Sequence, residues 1–339
     1  MYKPAVALFG FNRPDCTRAV FEEIRRYRPL KLLLVADGPR SAVPTDKLRC
    51  ESVREIMRSV DWECDVRTNF APENLGCKKR MSSGMDWLFS EVEEAIILED
   101  DCVPCADFFT FCSQMLAHYR DHQKIMAIAG TNYQSGQWRG DGSYYFSRFP
   151  HIWGWASWRR AWKSYDVTMN SWPIARQEKW IEAVCPSEEQ YYWDKIFNDV
   201  YEGNVDTWDV QWLYACWRCA GIGIIPNANL VTNIGAGPDA THTKGEAGSL
   251  AMATGKLNSL VHPKSIALDS EADAFTFHME FGGKEARNKN IMTRVRRRTK
   301  RFILNLLGSA GYKISRLEAS ANNNTSGMLS CGPYRISRR

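Results

Sequence analysis

No stretch of about 18 consecutive apolar residues occurs in this sequence, so nothing in it reads as a bilayer-spanning helix. The opening MYKPAVALFGFNRPD has a short apolar run but lacks the long hydrophobic region and small-residue cleavage site of a secretory signal. The cytoplasm is therefore the expected location. Internal repeats are also absent, and so is compositional bias. Charged residues at 24% and hydrophobic residues at 44% are ordinary values, which sets aside disordered, collagen-like and coiled-coil classes for the body of the chain. A length of 339 residues suits one large domain or two small ones.

Cysteine is plentiful at 11, but the count is odd, and reduced thiols are the default in a cytosolic chain. Two C-x-x-C pairs, Cys102/Cys105 and Cys216/Cys219, offer four thiolates that would suit a structural zinc. The pairs lie too far apart in sequence for a usual zinc module, and buried thiols are the expected reading. Net charge is +5, unevenly placed. Residues 281–339 carry 14 Lys and Arg against two acidic residues, while residues 1–280 carry 30 against 37. A mildly acidic body argues against nucleic acid as a partner.

The first 130 residues alternate strand-like and helix-like segments. Ala5–Phe9 is apolar and stops at Gly10; a helix with Ala19, Val20, Ile24 and Tyr27 on one face follows, with Asp15 as its cap. Lys31–Ala36, Glu63–Thr68, Ala95–Leu98 and Ile125–Ala129 read as strands; Val53–Val60, Gly76–Val92 and Phe108–Tyr119 read as helices. Such alternation predicts an α/β domain with a mostly parallel sheet covered on both faces. Ligands of open sheets sit beyond the carboxyl ends of the strands, where Asn12-Arg13, Asp37-Gly38 and Glu99-Asp100-Asp101 fall. Eleven of the 13 tryptophans then lie between Trp138 and Trp217, and Gly235–Lys256 is rich in small residues.

Three consecutive carboxylates after a buried strand are costly unless something neutralises them. A divalent cation does so, and oxygen ligands point to magnesium or manganese; a solvated acidic turn, with Asp107 capping the next helix, is the competing reading. Arg13 offers a fork of donors for phosphate, or makes a surface salt bridge. Asp37-Gly38 alone reads as a turn.

In combination these motifs resemble GT-A glycosyltransferases, most closely the N-acetylglucosaminyltransferase I-like branch and its bacterial relatives. The resemblance rests on Asn12-Arg13-Pro14, Tyr27-Arg28-Pro29, Asp37-Gly38, and Glu99-Asp100-Asp101 followed by Asp107-Phe108-Phe109, in that order, and covers about residues 4–245. It implies a GT-A-type (Rossmann-like) fold, a nucleotide-sugar donor, most simply a UDP-sugar, and a Mn2+ or Mg2+ ion. Asp101 would coordinate the metal, Glu99 and Asp100 would contact ribose or base, Asp37 the base edge, and Arg13 the nucleotide and its phosphates. Lys79 and Arg80, at the helix leading into the Glu-Asp-Asp strand, would serve the diphosphate, with Lys78 on a solvated face. Phe149–Trp155 resembles the family's acceptor-side motif, making Trp153, Gly154 and Trp155 acceptor contacts, although most of the tryptophans should be core. Trp208-Asp209-Val210-Gln211-Trp212 resembles the family's Trp-Asp-Asp-Trp. Asp209 would then be the catalytic base, with Asp206 in reserve and helix capping as the structural alternative. His242, in the glycine-rich loop, would be a further metal ligand or touch the diphosphate.

The expected organisation is a nucleotide-sugar half at residues 1–130, an acceptor half at 131–260, a basic helical extension at 261–310 and a disordered tail at 311–339. The expected activity is metal-dependent, inverting transfer of a sugar to a hydroxyl of a surface glycan or lipid-linked glycan. A sugar nucleotidyltransferase is the main alternative, but it needs a Gly-rich basic loop after its first strand, which Phe9-Gly10-Phe11-Asn12-Arg13-Pro14 does not supply. A non-catalytic glycan-binding protein would not need the carboxylate cluster. Within 290–307 an apolar stripe flanked by arginines predicts salt-sensitive contact with an anionic membrane face, each nearby cation adding about 1 kcal/mol. The same stripe could instead pack on the body.

Overall fold

A computed structural model describes residues 2–236, 251–257 and 259–282, together with the backbone of 312–316, 330–331 and 334–338. It divides into two units, Met1–Phe281 and Gly282–Arg339. Among the described residues, the second unit holds three short antiparallel strands, Tyr312–Arg316, Ser330–Cys331 and Tyr334–Arg338, in the segment expected to be disordered. The basic stripe of 290–307 and His242 both lie outside the described residues.

The first unit opens with β1 (Ala5–Gly10), α1 (Pro14–Tyr27), β2 (Lys31–Ala36), α2 (Asp46–Arg58) and β3 (Asp65–Phe70). It continues with α3 (Cys77–Glu91), β4 (Glu94–Glu99), β5 (Cys102–Pro104), α4 (Ala106–His118) and β6 (Ile125–Ala129). The tryptophan-rich part adds β7 (Tyr144–Ser147), β8 (Trp155–Trp158), and the short helices α5 (Arg159–Trp162), α6 (Trp172–Gln177) and α7 (Trp180–Val184). Then come α8 (Gln190–Tyr201), α9 (Asp209–Arg218), β9 (Ile222–Pro226), β10 (Val231–Asn233) and α10 (Ser270–Glu280).

Eight strands form one sheet in the order β3-β2-β1-β4-β8-β6-β9-β7. Strands β1, β2, β3, β4, β6 and β9 point one way, and only β7 and β8 run against them. The fold is therefore mixed α/β with a mostly parallel sheet flanked by helices. The near-continuous apolar runs of β1, β2 and β4 follow from burial on both faces. One face packs Val6, Leu8, Leu32, Leu34 and Ile96 under α1, α2 and α4; the other packs Ala7, Leu33, Val35 and Ile97 under α3 and α9. Register brings the strand ends level: Gly10 pairs with Ala36, and Phe9 with Glu99. The polar residues that follow these three strands are thereby gathered at one edge of the sheet.

Two local expectations change. Asp15 sits in the first turn of α1, whose cap position is Arg13 with no side-chain bond. Asp107 does not cap α4, which begins after Cys105; its carboxylate accepts from the Leu257 N–H and ties down a distant segment. Far from being a basic extension, α10 is acidic and belongs to the body. Asp273 accepts from the Ser147 hydroxyl, and the Gln134 amide donates to Thr276.

The turn after β1 is fixed by Asp46, which the sequence pattern did not single out. Its buried carboxylate accepts from the Asn12 amide at 2.8 Å and from the Arg40 guanidinium. The Arg40 bonds hold Asp46 at about 2, below the usual carboxylate range. A depressed folded-state value means that this stability is present above the ordinary Asp pKa and is lost as pH falls towards 2. Asp46→Asn should cost about 1.5–3 kcal/mol at pH 7, the usual scale for hydrogen bonds to charged groups. Urea titrations at pH 7 and pH 3 check it: the gap between wild type and variant should shrink at the lower pH, and a constant gap would contradict the assignment.

Candidate donor cleft

The strand ends open onto a cleft of about 600 Å³. Its lining draws Phe11 and Arg13 from the β1 end, Asp37 from β2, Glu99-Asp100-Asp101 from β4, and Cys77 and Arg80 from the first turn of α3. Trp153 and the run from Val205 to Val210 form the remaining wall, with Asn233 and Gly235. Residues from both halves of the sequence are thus brought together. Charges in the lining are unequal: six carboxylates (Asp37, Glu99, Asp100, Asp101, Asp206, Asp209) face three guanidiniums (Arg13, Arg40, Arg80).

Arg13 joins the acidic strand end to the β1 turn. It pairs with Asp100 and, at 2.9 Å, with Asp101. Burial works against the Arg13 charge, but these two carboxylates outweigh it and raise its pKa. Asp100 is only 3% exposed and spends both oxygens, one on Arg13 and the other on the Phe11 N–H. Burial lifts its pKa to about 6, with Arg13 pulling the other way. With these bonds Asp100 holds Arg13 and the β1 turn.

Asp37 behaves similarly at the end of β2. It accepts from the backbone N–H groups of Gly38 and Leu75 and from the Asn74 amide, all within 2.9 Å. Its carboxylate therefore shapes the turn that leads into α3, and Asn74, at the start of the segment expected to serve the diphosphate, is itself a cleft residue. Glu99 differs from both, since no hydrogen bond to its carboxylate is present among the described residues. Burial, then the charges of Asp101 and Asp100, raises its pKa well above the carboxylate range.

Asp101 faces the cleft beside Asn233, whose amide points at one carboxylate oxygen from 3.4 Å. The Asn233 side-chain oxygen in turn accepts from the Gly235 N–H at 2.8 Å. A Cβ built on Gly235 would lie 2.1 Å from an Asp101 oxygen, so only glycine lets this backbone approach the carboxylate. Sequence reading singled out the loop from Gly235 but not Asn233, although Asn233 closes the strand that leads into it.

Of the two basic residues of α3 expected to serve the diphosphate, the structure brings Arg80 and not Lys79 into the lining. It is 6% exposed and donates to the Asn69 backbone and side-chain oxygens, and its Nε has no partner. Lys79 is exposed and outside the lining. It takes the solvated role expected of Lys78, because one residue along a helix turns the side chain by about 100°.

On the opposite wall Asp209 occupies the first turn of α9, one residue after the cap position, and accepts from the Thr207 hydroxyl. Asp206 is exposed on the loop before it. Cys77 faces this group: burial, then the charges of Glu99, Asp209 and Asp206, pushes its thiol up to about 12, so it stays protonated.

Trp153 is part of the lining and packs edge-on against Tyr133. Trp155 does not reach the cleft. At 0% exposure it is wedged against Trp208 and Trp212 in the core, on the sheet face covered by α3 and α9. Gly154 is buried, with φ at +62° and Val231 2.6 Å from where its Cβ would stand. It lets the backbone pack closely against Val231.

Fold and cleft together define an open α/β protein with a ligand cleft at the carboxyl ends of its strands. No protein-family model matches the chain, and no curated protein does. Among solved structures it is similar to a UDP-glucose pyrophosphorylase complexed with UDP-glucose (10% identity, 66% of this chain and 90% of that one, TM-score 0.34). It is also similar to mouse xyloside xylosyltransferase 1 (12%, 63% and 81%, 0.29). A third is 4-diphosphocytidyl-2C-methyl-D-erythritol synthase from Anaerococcus prevotii (10%, 58% and 84%, 0.30).

Proposed function

We propose that this protein is a GT-A-type glycosyltransferase that moves a sugar from a nucleoside diphosphate donor, most simply a UDP-sugar, to a hydroxyl of a glycan or lipid-linked glycan. The observation that carries this reading is the placement of Asp209 across one cleft from the Arg13, Asp100 and Asp101 cluster. A displacement at an anomeric carbon needs a phosphate-holding side and, opposite it, a carboxylate to take the acceptor proton.

The unequal charge of the lining supports a divalent cation. A diphosphate entering a cleft with six carboxylates and three guanidiniums meets a net negative field, which Mn2+ or Mg2+ would offset. Among the described residues no group of three or more His, Cys, Asp or Glu side chains forms a cage. Among the described residues Asp101 is the ligand the chain offers, His242 being the other expected one, and phosphate oxygens and water would complete the set, as suits magnesium-like ions. Bound there, the ion would stabilise charge on the leaving diphosphate.

The side chains divide the rest of the work. Arg13, fixed by Asp100, presents donors to phosphate oxygens, and the N-terminus of α3 adds backbone N–H groups. Trp153 offers an aromatic face to an acceptor sugar. Asp209 takes the acceptor hydroxyl proton as its oxygen attacks the anomeric carbon. The C–O bond to the diphosphate breaks on the far side, which inverts configuration. Attachment of residues 290–307 to the inner membrane face belongs to the same proposal, since it would bring the cleft to lipid-linked acceptors.

A panel of UDP-, dTDP- and GDP-sugars incubated with Mn2+ tests the reading. Slow release of nucleoside diphosphate from one donor, stimulated several-fold by the metal, is the expected result. Pyrophosphate consumption with release of nucleoside triphosphate would instead identify a nucleotidyltransferase.

A further inference from the structure

Asp209 stands where a carboxylate has two courses open to it. It begins α9, and a carboxylate in the first turn of a helix is drawn to the unpaired backbone N–H groups and the positive end of the dipole there. It does not take them: its one hydrogen bond among the described residues comes from the Thr207 hydroxyl, two residues earlier and outside the helix. Thr207 is itself held in place. The Gln211 amide, buried in the first turn of α9, donates to the Thr207 carbonyl at 2.6 Å. The Tyr165 hydroxyl donates to the next carbonyl, that of Trp208, at 3.2 Å, and the Trp208 ring stacks on Trp155 in the core. Thr207 and Asp209 both line the cleft.

We propose that Thr207 is the positioning residue for the acceptor-side base: its hydroxyl holds Asp209 towards the cleft and away from the N–H groups of its own helix. The proposal rests on the reading of Asp209 given above. A general base must lie within hydrogen-bond reach of the proton it takes, and a displacement of about 1 Å can cost about 100-fold in rate. Thr207 occupies one carboxylate oxygen and leaves the other for the acceptor hydroxyl. Being β-branched, it is stiff at χ1, so its oxygen is offered from a nearly fixed point once the flanking carbonyls are held. Without that hydroxyl the carboxylate is free to turn back to the helix end, where it gains a capping role and loses the acceptor proton. Thr207 thus decides between the two roles that an aspartate at this point in the chain can play.

Thr207→Val keeps the branched shape and removes the donor; Thr207→Ser keeps the donor and drops a methyl group. Each is made in the full chain and assayed for Mn2+-dependent release of nucleoside diphosphate from the sugar nucleotide that the panel above selects, alongside calorimetric UDP affinity and thermal melting. In Thr207→Val kcat should fall by about 10- to 100-fold, the scale of a misplaced reacting group. Donor KM and UDP affinity should stay close to wild type, and the melting temperature should hold or rise, because Asp209 then caps α9. Thr207→Ser should recover most of the turnover. In an Asp209→Asn background Thr207→Val should bring no further loss, as expected of two residues that act as one unit. Wild-type turnover in Thr207→Val, with Asp209→Asn inactive, would overturn the positioning role and leave the base standing. So would a loss in Thr207→Val that comes with a lower melting temperature and is not recovered by serine. If Asp209→Asn is active, or no donor in the panel is turned over, the reading of Asp209 fails and the role of Thr207 fails with it.

Discussion

Asp209→Asn should reduce turnover by 100-fold or more, within the usual range for loss of general-base assistance, while UDP binding stays near that of the wild type. Both halves follow from where the residue sits. It is in the first turn of α9, across the cleft from Arg13, and its only hydrogen bond among the described residues is from the Thr207 hydroxyl. Replacing one oxygen by an amide keeps shape and volume, so the loop and helix should survive, which thermal melting can verify. Rate and affinity then separate: a residue that acts on the acceptor proton changes kcat, whereas one that merely shapes the donor pocket would weaken UDP binding as well. Asp206 is the internal control. It lines the same wall from an exposed loop, and Asp206→Asn should retain most of the turnover. If Asp206→Asn is the dead variant and Asp209→Asn is not, the base has been assigned one helical turn too late.

The fold was legible because its signals are local and repeated. Apolar runs in β1, β2, β4 and β6 give buried parallel strands, and the polar residues at their ends give the edge where a ligand belongs. Side chains that act through long-range partners were harder to read. Asp37 and Asp100 carry the right chemistry for donor contacts, and their oxygens also accept from Leu75, Asn74, Phe11 and Arg13. Such bonds join residues 37 to 89 positions apart and leave no periodic trace. Asp46 and Asn233 were missed for the same reason. Trp153 and Trp155 show the limit in miniature: two residues of one motif, one at the cleft and the other in the core, separated only by where β8 begins.

Asp101→Asn should abolish metal-stimulated transfer, lowering it by about 100-fold or more on the scale of lost electrostatic stabilisation at a leaving group. Excess chelator should do the same to the wild type. The loss is expected to come from charge and not from unfolding, because Asp101 is partly exposed and its neighbour Asp100 still anchors Arg13 in the variant. Gly235→Ala provides an independent approach to the same carboxylate. Its new Cβ would stand 2.1 Å from an Asp101 oxygen and 2.9 Å from an Arg13 nitrogen, so the pair must move although no charge is removed. The two variants should therefore share a phenotype, lost metal stimulation, while differing in cause. Raising Mn2+ should restore part of the activity of Gly235→Ala, where the ligand is displaced, and little of that of Asp101→Asn, where it is gone. Full activity of the wild type in chelator, or of Asp101→Asn at ordinary Mn2+, would show that the carboxylates at the end of β4 serve the cleft without a metal.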